Sequence, residues 1–174
     1  MSGRKREHLD DYQLAEDGTY QYQGRLWHWA DQAERRAFLR AAWALLGIAF
    51  ACLVCAGFAP LPASGFAALA LVPYAAALVA TALVAVCLAK ITREGMDLRD
   101  YVYVSNVLGL RPRLVFGALL AGVSSLGEVA CAVTSLVQGE PLSWAAAVFV
   151  ACMLVCSSSL WLLRRRATEL TFTS

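Results

Sequence analysis

Arg111-Pro-Arg-Leu-Val-Phe-Gly-Ala-Leu-Leu-Ala-Gly-Val-Ser-Ser-Leu-Gly-Glu-Val-Ala-Cys-Ala-Val-Thr-Ser-Leu-Val137 decides the fold. After two arginines and a proline it runs from about Leu114 to Val137 with one ionisable carboxylate, Glu128. A helix needs about 20 predominantly apolar residues to cross a hydrocarbon core about 30 Å thick, at about 1.5 Å per residue. Three further stretches meet that length: about 41–59, 66–89 and 142–163. The fold class expected is an all-α membrane protein with four transmembrane helices in two antiparallel hairpins. Its 174 residues are 59% hydrophobic, and the mean hydropathy of +0.56 is far above that of a soluble domain this size.

Charge orients the chain. Seven basic residues precede the first run (Arg4, Lys5, Arg6, Arg25, Arg35, Arg36, Arg40). Five lie at or between the second and third (Lys90, Arg93, Arg99, Arg111, Arg113), and Arg164, Arg165 and Arg166 follow the fourth. The other two connections, Leu61-Pro-Ala-Ser-Gly65 and Gln138-Gly-Glu-Pro141, carry none. Cytoplasmic loops retain Lys and Arg, so both termini are expected in the cytoplasm and Glu140 outside. The compact form and short outer turns suggest a bacterial plasma membrane. The first 37 residues are polar, so no cleavable signal peptide is expected, and the first run would serve as an uncleaved anchor. A net charge of +2 gives no reason to expect a nucleic-acid partner.

Two regions are expected: a cytoplasmic tail over 1–37, and a transmembrane domain over 38–174 with a cytoplasmic connection over 90–112. In the tail, Tyr12 to Tyr22 alternates weakly around Asp17-Gly18, which suits a small hairpin; its polar composition equally suits disorder. Residues 25–40 read as a short amphipathic helix opened by a capping box at Asp31 and Glu34. The tail is dense in aromatics, and Tyr22, Arg25, Trp27 and Trp29 are its candidates for headgroup anchoring or partner docking. Arg35, Arg36, Arg40 and Arg164 to Arg166 read as topology signals rather than a lipid-specific site. Pro73 predicts a kink in the second run. The 90–112 connection reads as a helix on the inner leaflet, although Tyr101-Val-Tyr-Val104 also suits a strand.

Glu128 is the sharpest candidate for chemistry. A charge at mid-bilayer costs about 2.5–3.5 kcal/mol on insertion scales, so such a residue faces protein or water. Gly117, Ala121, Ser124, Glu128, Cys131 and Ser135 form one helical stripe of small or polar residues. Such a seam admits close helix packing and interhelical hydrogen bonds. Glu128, Ser124, Cys131 and Ser135 are therefore the transport or partner-contact candidates. The plainer reading is a protonated, hydrogen-bonded packing group.

All six cysteines fall in apolar runs, so no secreted disulfide framework is expected. Cys52-Leu-Val-Cys55 has redox spacing, and Cys152 and Cys156 lie four apart. No loop cysteine exists to receive a protein substrate, which weakens the thiol-oxidoreductase reading. His8 and His28 have no cysteine at ligand spacing, and no phosphate loop or Ser nucleophile is apparent. No cofactor, no metal and no catalytic residue are expected. The function expected is a non-enzymatic accessory or scaffold subunit of a membrane complex. Its partners would be the lipid bilayer and another membrane protein, or further copies of itself. The alternative is a small oligomeric transporter or channel with Glu128 as coupling or ion-binding group.

Overall fold

The structure, a computed structural model, describes residues 12–14, 20–22, 24–59, 67–139, 141 and 143–173. Residues 1–11 and 15–19, the turn before the second long helix, and Glu140 lie outside the described residues, with the expectations that fall on them.

Among the described residues, four helices are long and apolar enough to cross a membrane. They are α1 (Gln32–Gly57), α2 (Ala67–Arg93), α3 (Gly109–Val137) and α4 (Trp144–Thr168). Asp31 opens α1, its carboxylate accepting from the Ala33 N–H at 3.0 Å, as the sequence suggests. Ser143 opens α4 in the same way. Gly95 (φ 80°) and Gly139 (φ 82°) stop α2 and α3 in the left-handed conformation that only glycine adopts without steric cost.

The helices close crosswise. α3 packs most extensively on α4 and α2, and α1 on α4, whereas α1 and α2 meet only lightly. The core between them holds Leu46, Leu53, Leu114, Phe149, Met153 and Leu160.

The segments linking the helices at the charged end depart from expectation. Residues 26–29 form a strand rather than the start of a helix. In this strand, β3 (Leu26–Trp29), Trp27 and Trp29 turn inward and Leu26 and His28 turn to solvent, the period of two that a half-buried strand requires. It forms the centre of an antiparallel sheet between β4 (Asp97–Arg99) and β5 (Phe172–Thr173). Leu26 faces Arg99, Trp27 faces Leu98, and Trp29 faces Phe172. Three segments far apart in sequence are thus tied together at one end of the bundle. A separate hairpin pairs β1 (Tyr12–Leu14) with β2 (Tyr20–Tyr22), matching Tyr12 to Tyr22, where the alternation around Asp17-Gly18 suggests one.

The expected helix lying on the leaflet is also replaced. After β4, a helical turn (Asp100–Val102) and a π-helical segment (Tyr103–Leu108) run without a break into α3. Pro112 lies inside that run rather than opening it. A proline clashes with the carbonyl four residues earlier, here Leu108, the last residue of the π segment. The wider π turn relieves that crowding and lets the helix pass through the proline.

Candidate functional site

The stripe on α3 is turned into the bundle. Ala121, Ser124, Glu128 and Cys131 are all buried, and Ser135 is half-buried near the C-terminal end of α3. Ser124 donates to the Ala70 carbonyl of α2 at 2.8 Å. A Cβ on Gly117 would lie 3.6 Å from the Ala80 Cβ and 3.2 Å from Leu160 Cδ1. The seam is therefore occupied by the chain's own second and fourth helices.

The closest approach lies one residue before Glu128. A Cβ on Gly127 would stand 2.5 Å from the Leu69 carbonyl oxygen and 3.0 Å from the Ala70 nitrogen, so only glycine fits. The cause is legible in α2. Pro73 has no N–H, so the Leu69 carbonyl lacks its usual donor four residues on. Gly127 brings the backbone of α3 against that carbonyl, where a weak Cα–H···O contact can form. Reasoning from the stripe missed Gly127 because it stepped from Ser124 by four to Glu128. A step of three from Ser124, combined with the carbonyl freed by Pro73, is the signal that finds it.

Glu128 follows directly and is 1% exposed. Its Oε2 has no hydrogen-bond partner among the described residues, and no described Lys or Arg pairs with it. A buried carboxyl oxygen without a donor is costly wherever it occurs. Glu128 is thus a polar group buried beside a glycine–carbonyl contact, with its Oε2 unpartnered among the described residues.

Proline and tyrosine act together in α2. Tyr74 reaches across to α1, its hydroxyl donating to the Leu53 carbonyl at 2.9 Å, while its ring lies 5.9 Å from Phe149 of α4. Gly57 makes room for the hydroxyl, which lies 2.5 Å from where a Cβ would be.

The two tryptophans among the tail candidates pack into the cap formed by the three-stranded sheet at the charged end of the bundle. Trp29, 3% exposed, packs between Phe38 at 5.9 Å and Phe172 at 4.7 Å. Trp27 stacks on Tyr103 at 4.3 Å and donates from Nε1 to Asp100 Oδ1 at 2.8 Å. The Arg25 guanidinium lies over the Trp27 ring at 5.0 Å. Of Tyr22, only the backbone pairing is described. Trp29 is therefore core, a correction to the anchoring role: its indole is enclosed by the sheet and α1. On the outer strand face, His28 Nδ1 meets Asp97 Oδ1 at 2.7 Å.

The two cysteine pairs meet across α1 and α4. The Cys52 and Cys152 thiols lie within hydrogen-bonding reach, and Cys55 and Cys156 follow about one turn on along the same helices, all as free thiols. Cys55 is exposed on the surface of α1. Among the described residues no group of three His, Cys, Asp or Glu is placed to hold a metal. The chain matches no family model, no curated protein and no solved structure.

Proposed function

We propose that this chain is a non-enzymatic accessory or scaffold subunit that binds a second membrane protein, in a bacterial plasma membrane with both termini cytoplasmic. The observation that carries this reading is a groove of about 440 Å³ between α3 and α4, away from the Glu128 seam. Ala132, Ala146, Ala147 and Ala151 supply its small side chains, and Val133 and Leu136 its larger ones. Lipid tails are as apolar as such a surface, so hydrophobicity alone drives no association there. Small residues in a depression are what let a foreign helix come close enough to gain packing energy. A photo-crosslinking amino acid at Ala147 tests the reading in native membranes. The expected product is one discrete protein adduct, abolished by Ala151→Trp. Lipid adducts alone, with the purified chain monomeric in mild detergent, would overturn it.

The second reading, a small oligomeric transporter or channel, is favoured by the uncommitted Oε2 of Glu128. An intramembrane carboxyl with one oxygen left without a partner among the described residues suits a group that exchanges a proton or cation. Glu128→Gln should abolish pH-dependent uptake into vesicles while leaving the fold intact. Unchanged uptake removes the carboxyl from any mechanism.

A further inference from the structure

We infer that the charged end of the α2–α3 junction binds one anionic glycerophospholipid, with its phosphate at Lys90, Arg93 and Arg113 and one acyl chain along Leu83 and Phe116. Two adjoining hollows carry this. The first, about 450 Å³, lies between the last turn of α2 and the π segment and is lined by Lys90, Arg93 and Ser105 among others. The second, about 280 Å³ and almost wholly apolar, runs down the same junction past Leu83 and Phe116. Arg113 lies between them: it lines the apolar hollow, its Nη1 donates to the Cys87 sulfur and to the carbonyl of Ser105, a residue of the upper hollow, at 3.3 Å, and its other guanidinium N–H groups are left for a phosphate. On α2, Leu83 and Lys90 lie seven residues apart, two turns along one face, or about 10 Å.

The charges in the upper hollow suit a phosphate. Lys90 and Arg93 form no ion pair or side-chain hydrogen bond among the described residues. The one carboxylate in the lining, Glu94, is already 3.8 Å from Arg99. Asn106 donates from Nδ2 to Ser105 Oγ at 2.9 Å, so the Ser105 hydroxyl proton remains available to an outside acceptor. The C-terminal end of α2 opposes an anion, and the two cations on its last turns offset that. Depth agrees as well. Trp43 of α1, near the start of its apolar run, donates from its indole to Thr92 Oγ1 at 3.3 Å beside this turn, and tryptophans favour the headgroup level. Basic pockets between transmembrane helices over an apolar groove are how membrane proteins select anionic lipids.

The test uses the full chain in mild detergent, with equal phosphatidylglycerol and phosphatidylcholine, and reads bound lipid by native mass spectrometry. The wild type should retain one phosphatidylglycerol. Lys90→Gln with Arg93→Gln should weaken retention roughly thirtyfold, about what two interfacial cations contribute. Leu83→Trp, at a site already facing lipid, should displace the acyl chain with every charge intact. Millimolar glycerol 3-phosphate should not compete. Equal retention of phosphatidylcholine, retention unchanged in either variant, or displacement by glycerol 3-phosphate, which marks a soluble phosphate site instead, would each overturn the inference.

Discussion

α2 packs against both α3 and α1, and it meets these two in opposite ways. Against α3 its backbone is nearly bare: Gly127 abuts the Leu69 carbonyl, and Ser124 bonds the Ala70 carbonyl. Against α1 it is held off by long side chains. Tyr74 reaches to Leu53, Trp43 to the Thr92 hydroxyl, and Arg35 to the Thr92 carbonyl at 3.1 Å. Yet α1 and α2 are adjacent in sequence, while α3 follows only after the β4 and π segments. Adjacency in sequence therefore does not decide which helices close up. In lipid, where burial of apolar surface gives little net gain, small side chains and exposed carbonyls decide it.

Two glycines give the sharpest way to break this contrast, because a methyl on either would stand 2.5 Å from an oxygen. At Gly127 the oxygen belongs to the backbone of α2 and cannot swing away. Gly127→Ala must push two helices apart, an overpacking cost of about 1–3 kcal/mol at least. A large drop in the thermal midpoint in detergent is expected, with loss of the monodisperse peak on size exclusion. At Gly57 the oxygen is the Tyr74 hydroxyl, the far end of a side chain. Gly57→Ala should displace only that hydroxyl and forfeit its bond to Leu53, at a cost of about 1 kcal/mol. Equal losses from the two alanines would mean that the α1–α2 contact is as rigid as the α2–α3 contact, and the contrast would fail.

The bundle was largely legible because its signal is one-dimensional: long apolar runs bounded by charge. The seam was legible in part. A stripe of small residues identifies the buried face of α3, but the decisive pairing of Gly127 with Leu69 depends on a carbonyl that Pro73 leaves bare in another helix. Proline read as a kink hides its second consequence. The cap was not legible. Leu26, Trp29 and Ala33 fit a helical face as well as Trp27 and Trp29 fit a strand face, and only partners at Asp97–Arg99 and Phe172–Thr173 resolve the choice. Those partners lie far along the chain, and strand pairing at such separation leaves no local mark. The π segment escaped for a related reason. Pro112 looked like a helix opening, and only a preceding turn wide enough to receive its ring turns it into an interior residue.

The smallest expected effect separates two causes of the tight seam, close approach and hydrogen bonding. Ser124→Ala removes the 2.8 Å bond to the Ala70 carbonyl and keeps a side chain small enough for the space. That carbonyl still has the Tyr74 N–H four residues on as a helical donor, so it is not orphaned. Interhelical side-chain hydrogen bonds in membranes average about 0.6 kcal/mol, well below the cost of forcing backbones apart. Ser124→Ala should therefore lower the thermal midpoint only slightly and leave the size-exclusion profile unchanged. Should it unfold the protein as thoroughly as Gly127→Ala, the hydroxyl, and not the glycine, holds α3 to α2. Glu128, one turn along the same face, would then belong to a hydrogen-bonded seam whose polar members are jointly required.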